Sequence, residues 1–182
     1  MYSAMAAVSE CMADHKKAAA YLCSNIDYTL QAFENDTARL GKAYCSDGKY
    51  EDAVTVYETF FEVMRVIFKD EIPPSYHDFD SGDCYLLLAE AYIAAGKTSK
   101  AMDAVEKSVM YYIDLYNTYT EENILQRSHI KSPVVRETEL VTSLPKKIIK
   151  QKLLYKLSAP GIQALNREAR FLELSETVNN LS

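Results

Sequence analysis

The run Leu40-Gly41-Lys42-Ala43-Tyr44-Cys45-Ser46-Asp47-Gly48-Lys49-Tyr50-Glu51-Asp52-Ala53 returns in the same order as Leu88-Ala89-Glu90-Ala91-Tyr92-Ile93-Ala94-Ala95-Gly96-Lys97-Thr98-Ser99-Lys100-Ala101. This internal repeat constrains the fold more than any bulk property. Each copy has a small residue where two helices must touch (Gly41 or Ala89) and an aromatic one turn on (Tyr44 or Tyr92). Each then has a glycine able to take positive φ at a turn, and an alanine where a second helix packs back (Ala53 or Ala101). Amphipathic helical periodicity runs from end to end, and no stretch sustains the alternation of a half-buried strand. The predicted class is all-α, a solenoid of antiparallel helix hairpins closed by a C-terminal capping helix.

Both copies resemble tetratricopeptide repeats. The first matches that family's pattern at Leu40, Gly41, Tyr44, Gly48, Tyr50, Ala53 and Tyr57, with Phe60 where a small residue is usual, so its neighbouring helix is expected to be pushed outward. The second keeps Leu88, Ala89, Tyr92, Gly96 and Ala101 but has Thr98 and Val105 where aromatics are preferred and Ser108 where alanine is. The family's 34-residue period, stepped back from Ala53, reaches Ala19, with Ala7 at the small position of the preceding helix and Asp14 at the turn. The resulting division is a degenerate repeat at 1–33, a repeat at 34–67, an insertion at 68–81, a repeat at 82–119, and irregular helices with a cap at 120–182. In this register the chain starts almost on a repeat boundary, as a fragment would.

Ile72-Pro73-Pro74-Ser75 should stop a helix, because proline lacks the amide donor and restricts its predecessor, and Asp80 or Ser81 could cap the next one. The second helix of the second repeat should start near Thr98 and end among Tyr111, Tyr112, Tyr116 and Tyr119, aromatics whose spacing is that of inter-helix packing. Residues 117–131 are polar and ambiguous. Pro133 and Pro145 then punctuate two short helices, at about 134–143 and 146–157.

Pro160, Ile162, Leu165, Arg167, Arg170 and Phe171 resemble the ending that closes many bacterial tetratricopeptide proteins, with Ala169 where proline is usual and Asn166 inserted. With Ser132-Pro133-Val134-Val135 and the Leu153-Leu154 run, the chain is similar to the C-terminal half of XRE-type helix-turn-helix transcriptional regulators. The tail is expected to cover the open apolar face of the last repeat, with Phe171 and Leu172 filling it.

The net charge of −6 is unevenly spread. Residues 140–167 hold no acidic residue and carry Lys146, Lys147, Lys150, Lys152, Lys156 and Arg167, so the remainder is strongly acidic and repels phosphate backbones. The lysine stretch could be an anion site; a solvated face, or one that neutralises the acidic repeats, is the favoured reading. Cys11, Cys23, Cys45 and Cys84 form no CxxC pair and read as buried free thiols in a reducing cytoplasm. No apolar run approaches the roughly 20 residues of a membrane span, and the first residues lack the pattern of a signal peptide.

No nucleophile elbow, phosphate-binding glycine loop or HExxH is present, so no enzyme, cofactor or metal is expected. Cys11 and His15, four apart, could form half a metal site but have no second pair to complete it. His77 and His129 have no partner in sequence that supports a triad. Asp78-Phe79-Asp80-Ser81-Gly82-Asp83 imitates a calcium loop, yet the twelfth position, where a bidentate glutamate is due, is Ala89.

The resemblance implies that the first helix of each hairpin lines a concave groove. By repeat position its residues are Asn35, Ala38, Lys42 and Cys45 in one copy and Asp83, Leu86, Glu90 and Ile93 in the next. Such a groove suits an extended or helical peptide. The expected function is a non-catalytic protein- or peptide-binding or oligomerisation module, the regulatory domain of a bacterial transcriptional regulator. Its partners would be a protein or peptide, or a second copy in a homodimer, with DNA reached only through a domain absent from this chain. A free-standing cytoplasmic adaptor with no DNA role is the alternative.

Overall fold

The computed structural model describes residues 2–68, 75–76, 79–118 and 146–181. Within them the fold is all-α. Seven helices follow one another: α1 (Tyr2–Cys11), α2 (His15–Ser46), α3 (Tyr50–Phe68), α4 (Ser81–Ala94), α5 (Thr98–Thr118), α6 (Lys146–Leu157) and α7 (Ala169–Asn179). A single turn of 3-10 helix, Ile162–Leu165, joins the last two. Ahead of α4, β1 (Ser75–Tyr76) pairs antiparallel with β2 (Phe79–Asp80), Ser75 opposite Asp80 and Tyr76 opposite Phe79, an exception of two residues a side to the helical pattern.

Local chemistry sets the helix ends. Asp14 caps α2, its Oδ1 accepting the Lys17 amide at 3.1 Å. At the far end of α2, Gly48 takes φ +75, and the same conformation returns after α4 at Gly96, φ +74. The Lys49 amide reaches back to the Tyr44 carbonyl (2.9 Å) and the Gly48 amide to Cys45 (3.1 Å). Lys97 and Gly96 repeat both bonds to Tyr92 (2.8 Å) and Ile93 (3.0 Å). The two sequence copies therefore close with the same pair of bonds, the pattern that satisfies a helix's last carbonyls when a left-handed residue follows it.

Helices adjacent in sequence pack on one another from α1 to α5, α2 also touches α4, and α6 and α7 pack on α5 and on each other. The core runs through α3, α4 and α5, with Tyr57, Phe60, Phe61, Val105, Val109 and Tyr112 almost fully buried. It continues into the C-terminal part through Ile149, Leu153, Ile162 and Leu165. Gly41 and Ala89 lie at the helix contacts, and Ala53 and Ala101 are completely enclosed. A Cβ on Gly41 would stand 2.2 Å from Tyr57 Cζ, so only glycine lets that ring through. Ser108, where the family prefers alanine, is fully buried because its hydroxyl donates to the Gly82 carbonyl at 2.8 Å.

Several expectations meet a different arrangement. The division at 33/34 falls inside α2, which runs for 32 residues without a break. Nothing between Asp14 and Leu40 interrupts a helix, since that stretch has no glycine and no proline. With no separate helix folding back at that point, Leu40 is 45% exposed while its equivalent Leu88 is 6%. Phe60 is buried against Phe33 of α2, ring centroids 5.7 Å apart. Of the two residues assigned to the cap, Phe171 is buried but Leu172 is 56% exposed, because α7 turns Phe171 and Val178 inward instead. The 146–157 helix coincides with α6. The Pro73-Pro74 stop, Tyr119, and the helix at 134–143 lie outside the described residues.

Candidate binding surface

The first row of the expected groove, Asn35, Ala38, Lys42 and Cys45, lies along one side of α2, with Asn35 and Lys42 exposed and Ala38 and Cys45 half-buried. The Ala38 carbonyl accepts the Tyr57 hydroxyl at 3.3 Å, which ties the strip to α3. The second row, Asp83, Leu86, Glu90 and Ile93, lies on α4 and is largely taken. Asp83 accepts from the Tyr112 hydroxyl and pairs with Lys156 (2.7 Å) and Lys152 (3.4 Å). Leu86 is buried, and Ile93 is half-buried. Glu90 lies under Gly161, whose position leaves 3.2 Å between a built Cβ and the Glu90 Cγ.

Electrostatics link the rows. Burial pushes the Glu90 carboxyl above the usual carboxylate range, and Lys42 and Lys156 oppose the shift only in part. Burial, reinforced by Glu90, also raises the Cys45 thiol, so it is not an activated nucleophile. The structure thus brings Lys42 and Cys45 near Glu90, while α6 and the 3-10 turn cover Asp83 and Glu90. Four of the five α6 lysines are engaged within the chain in the same way. Lys152 and Lys156 neutralise Asp83, Lys150 donates to the Asn179 (2.8 Å) and Leu181 carbonyls at the end of α7, and Lys146 lies over the Tyr116 ring at 5.0 Å.

A second surface escaped the sequence reading. A shallow cleft is floored by Tyr85, Leu88 and Tyr92 of α4 and rimmed by Lys100, Asp103, Ala104 and Lys107 of α5. Lys100 and Lys107 lie over the Tyr92 and Tyr85 rings at 5.4 and 5.5 Å. Tyr85 is stacked on Phe61 of α3 at 3.9 Å. Across the cleft Glu58 accepts from Tyr92 and from Lys100 (3.3 Å); the tyrosine hydroxyl is the main reason its carboxyl lies below the usual range. Burial pushes Tyr85 up to about 12 and raises Tyr92 as well, so both phenols stay protonated at neutral pH. Asp103 is engaged by Arg170 of α7 at 2.9 Å. The signal was present as tyrosines seven apart on α4 and lysines seven apart on α5, but only tertiary packing puts one pair over the other.

Neither surface presents a nucleophile with its base. Of the four cysteines expected to be buried only Cys84 is; Cys23 and Cys45 are half-buried and Cys11 is exposed, on a different helix from His15 because the chain turns at Met12–Asp14 between them. Among the described residues no group of three or more His, Cys, Asp or Glu could hold a metal ion. Of the calcium-like run, Asp78 lies outside the described residues, as do His77 and His129, while Asp83 is held by Tyr112 and two lysines. No described helix is long and apolar enough to cross a membrane. Compared with protein families, with curated proteins and with solved structures, the chain matches none of them.

Proposed function

We propose that this chain is a non-catalytic protein- or peptide-binding module built as a tetratricopeptide-like solenoid, and that it serves as the regulatory half of an XRE-type transcriptional regulator. The observation that carries the reading is the doubled hairpin. Helices α2–α3 and α4–α5 turn through Gly48 and Gly96 with matching φ and matching bonds, and both close on an enclosed alanine. Repetition of this kind makes extended surface rather than a reaction centre. Because the α4 row is covered from within, the binding strip is the open side of α2, at Asn35, Ala38, Lys42 and Cys45. Lys42 is the exposed cation of that strip, and a single carboxylate of an extended peptide would pair with it.

A fluorescence-polarisation screen of acidic and neutral extended peptides against the full chain tests this. A hit should weaken about tenfold on Lys42→Glu, in line with loss of one charge-assisted contact, and remain unchanged on Lys107→Glu in the other cleft. A folded chain indifferent to every peptide, or a hit insensitive to Lys42, would sink the peptide-binding reading. Reading the gene upstream of Met1 for a helix-turn-helix frame tests the regulator assignment separately.

A further inference from the structure

Helix α6 has five lysines and no acidic residue. It docks on a part of the chain, residues 1–118, that holds 19 acidic against 10 basic side chains. Its apolar seam, Ile149, Leu153 and Leu157, is buried at the spacing i, i+4, i+8. Beside the seam, Lys152 and Lys156 reach Asp83 in the first turn of α4, and Lys152 also lies over the Tyr112 ring at 5.4 Å. The attachment extends beyond α6. Gly161 rests on Glu90, and Arg170 donates from its Nε to Glu106 at 2.7 Å and from its Nη2 to Asp103 at 2.9 Å. All of these contacts join α6–α7 to α4–α5, and none requires both partners to belong to one molecule. Between Thr118 and Lys146 the sequence has 27 residues, far more than the roughly two to five of a tight helix–helix turn.

We infer that the face of α4 and α5 carrying Asp83 and Tyr112 is an exchange interface, which accepts the α6–α7 segment of a second copy of this chain in place of its own. The same contacts form in either state, so exchange costs only the loss of the tethered arrangement. The tether favours the closed monomer in dilute solution, with a preference set by its effective concentration, and reciprocal dimers grow as the protein is concentrated. The charge contrast between the two segments selects this occupant over a helix of acidic or neutral surface.

Two full-length variants test it, Asp83→Lys and the double variant Lys152→Glu/Lys156→Glu. Each alone sets like charges against each other at the docking point. In a reciprocal heterodimer both points are repaired, since the new lysine at 83 meets the new carboxylates and the unaltered Asp83 meets unaltered lysines. Light scattering after size exclusion should find each variant alone at the 20.6 kDa of the chain and the refolded equimolar mixture at twice that mass, with one of each by native mass spectrometry. If the variants are unfolded when separate, helical circular dichroism regained only in the mixture counts equally in favour. A mixture that stays monomeric with both variants folded, or that stays unfolded, overturns the inference. Neither result depends on the α2 strip, so this inference and the peptide-binding reading fail separately.

Discussion

At the residue scale, three glycines show that the same amino acid is used for two different reasons. Gly41 is set by space. Alanine there would gain about 1 kcal/mol of helix propensity, but its Cβ would enter the Tyr57 ring, which is buried and bonded to the Ala38 carbonyl. Overpacking of this kind costs about 1–3 kcal/mol, so net of the propensity gain Gly41→Ala should lose up to about 2 kcal/mol in urea unfolding. Gly48 and Gly96 are set by φ, and nothing lies within 4 Å of a Cβ at either. Gly48→Ala and Gly96→Ala should therefore each cost about 1 kcal/mol, and by equal amounts, from left-handed strain alone. Unequal losses would mean that the two turns are not equivalent. Glu90 belongs to this scale as well. Its carboxyl is raised in the folded state mainly by burial, so the folded chain holds that proton more tightly than the unfolded one. Its ionisation subtracts stability at neutral pH, and the deficit disappears as pH falls below the usual carboxylate range. Glu90→Gln should raise the melting temperature at pH 7, with the gain fading towards pH 4; a gain independent of pH would assign the effect to something other than the charge.

At the element scale, the C-terminal cap separates two neighbours that the sequence treats alike. Phe171 is buried at 3% exposure and Leu172 is open to solvent. Phe171→Ala should cost about 3–5 kcal/mol, whereas Leu172→Ala should stay within about 0.5 kcal/mol, a contrast readable in thermal melts. Periodicity identified the helix but not its rotation, because consecutive residues on a helix differ by about 100° and either could border an apolar face. Helix α2 teaches the same point about ends. Its C-terminal stop was legible in Gly48, and its N-terminal cap in Asp14. It passes through 33/34 because residues 15–40 contain no glycine or proline. Local chemistry, and not the period, decides where a helix stops.

At the scale of the whole molecule, burial is graded along the chain. Helix α1 hides only Ala6 and Ser9, with Met5 and Val8 outside, while α3 to α5 supply most of the enclosed large side chains. Hydrogen exchange should therefore be fastest in α1, and slowest in the α4 and α5 amides around Ala89, Val105 and Val109. Uniform protection from α1 to α5 would show that the array opens as one unit. Spacing alone puts Asn35, Ala38, Lys42 and Cys45 on one side of α2, and Asp83, Leu86, Glu90 and Ile93 on one side of α4. That the second row would be covered was not legible. Its partners, Lys152, Lys156 and Gly161, stand about 70 residues away in sequence.

The sequence by itself determined what short-range physics can encode: helical class, the two glycine turns, the small residues at helix contacts and the start of α6. Only the tertiary structure decided which faces remain open. Burial of Asp83 and Glu90 by α6 and its following turn, and the laying of Lys100 and Lys107 over Tyr92 and Tyr85, depend on side chains meeting across separate helices. Such encounters are set by the summed packing of the core, which leaves no periodic trace in any one segment.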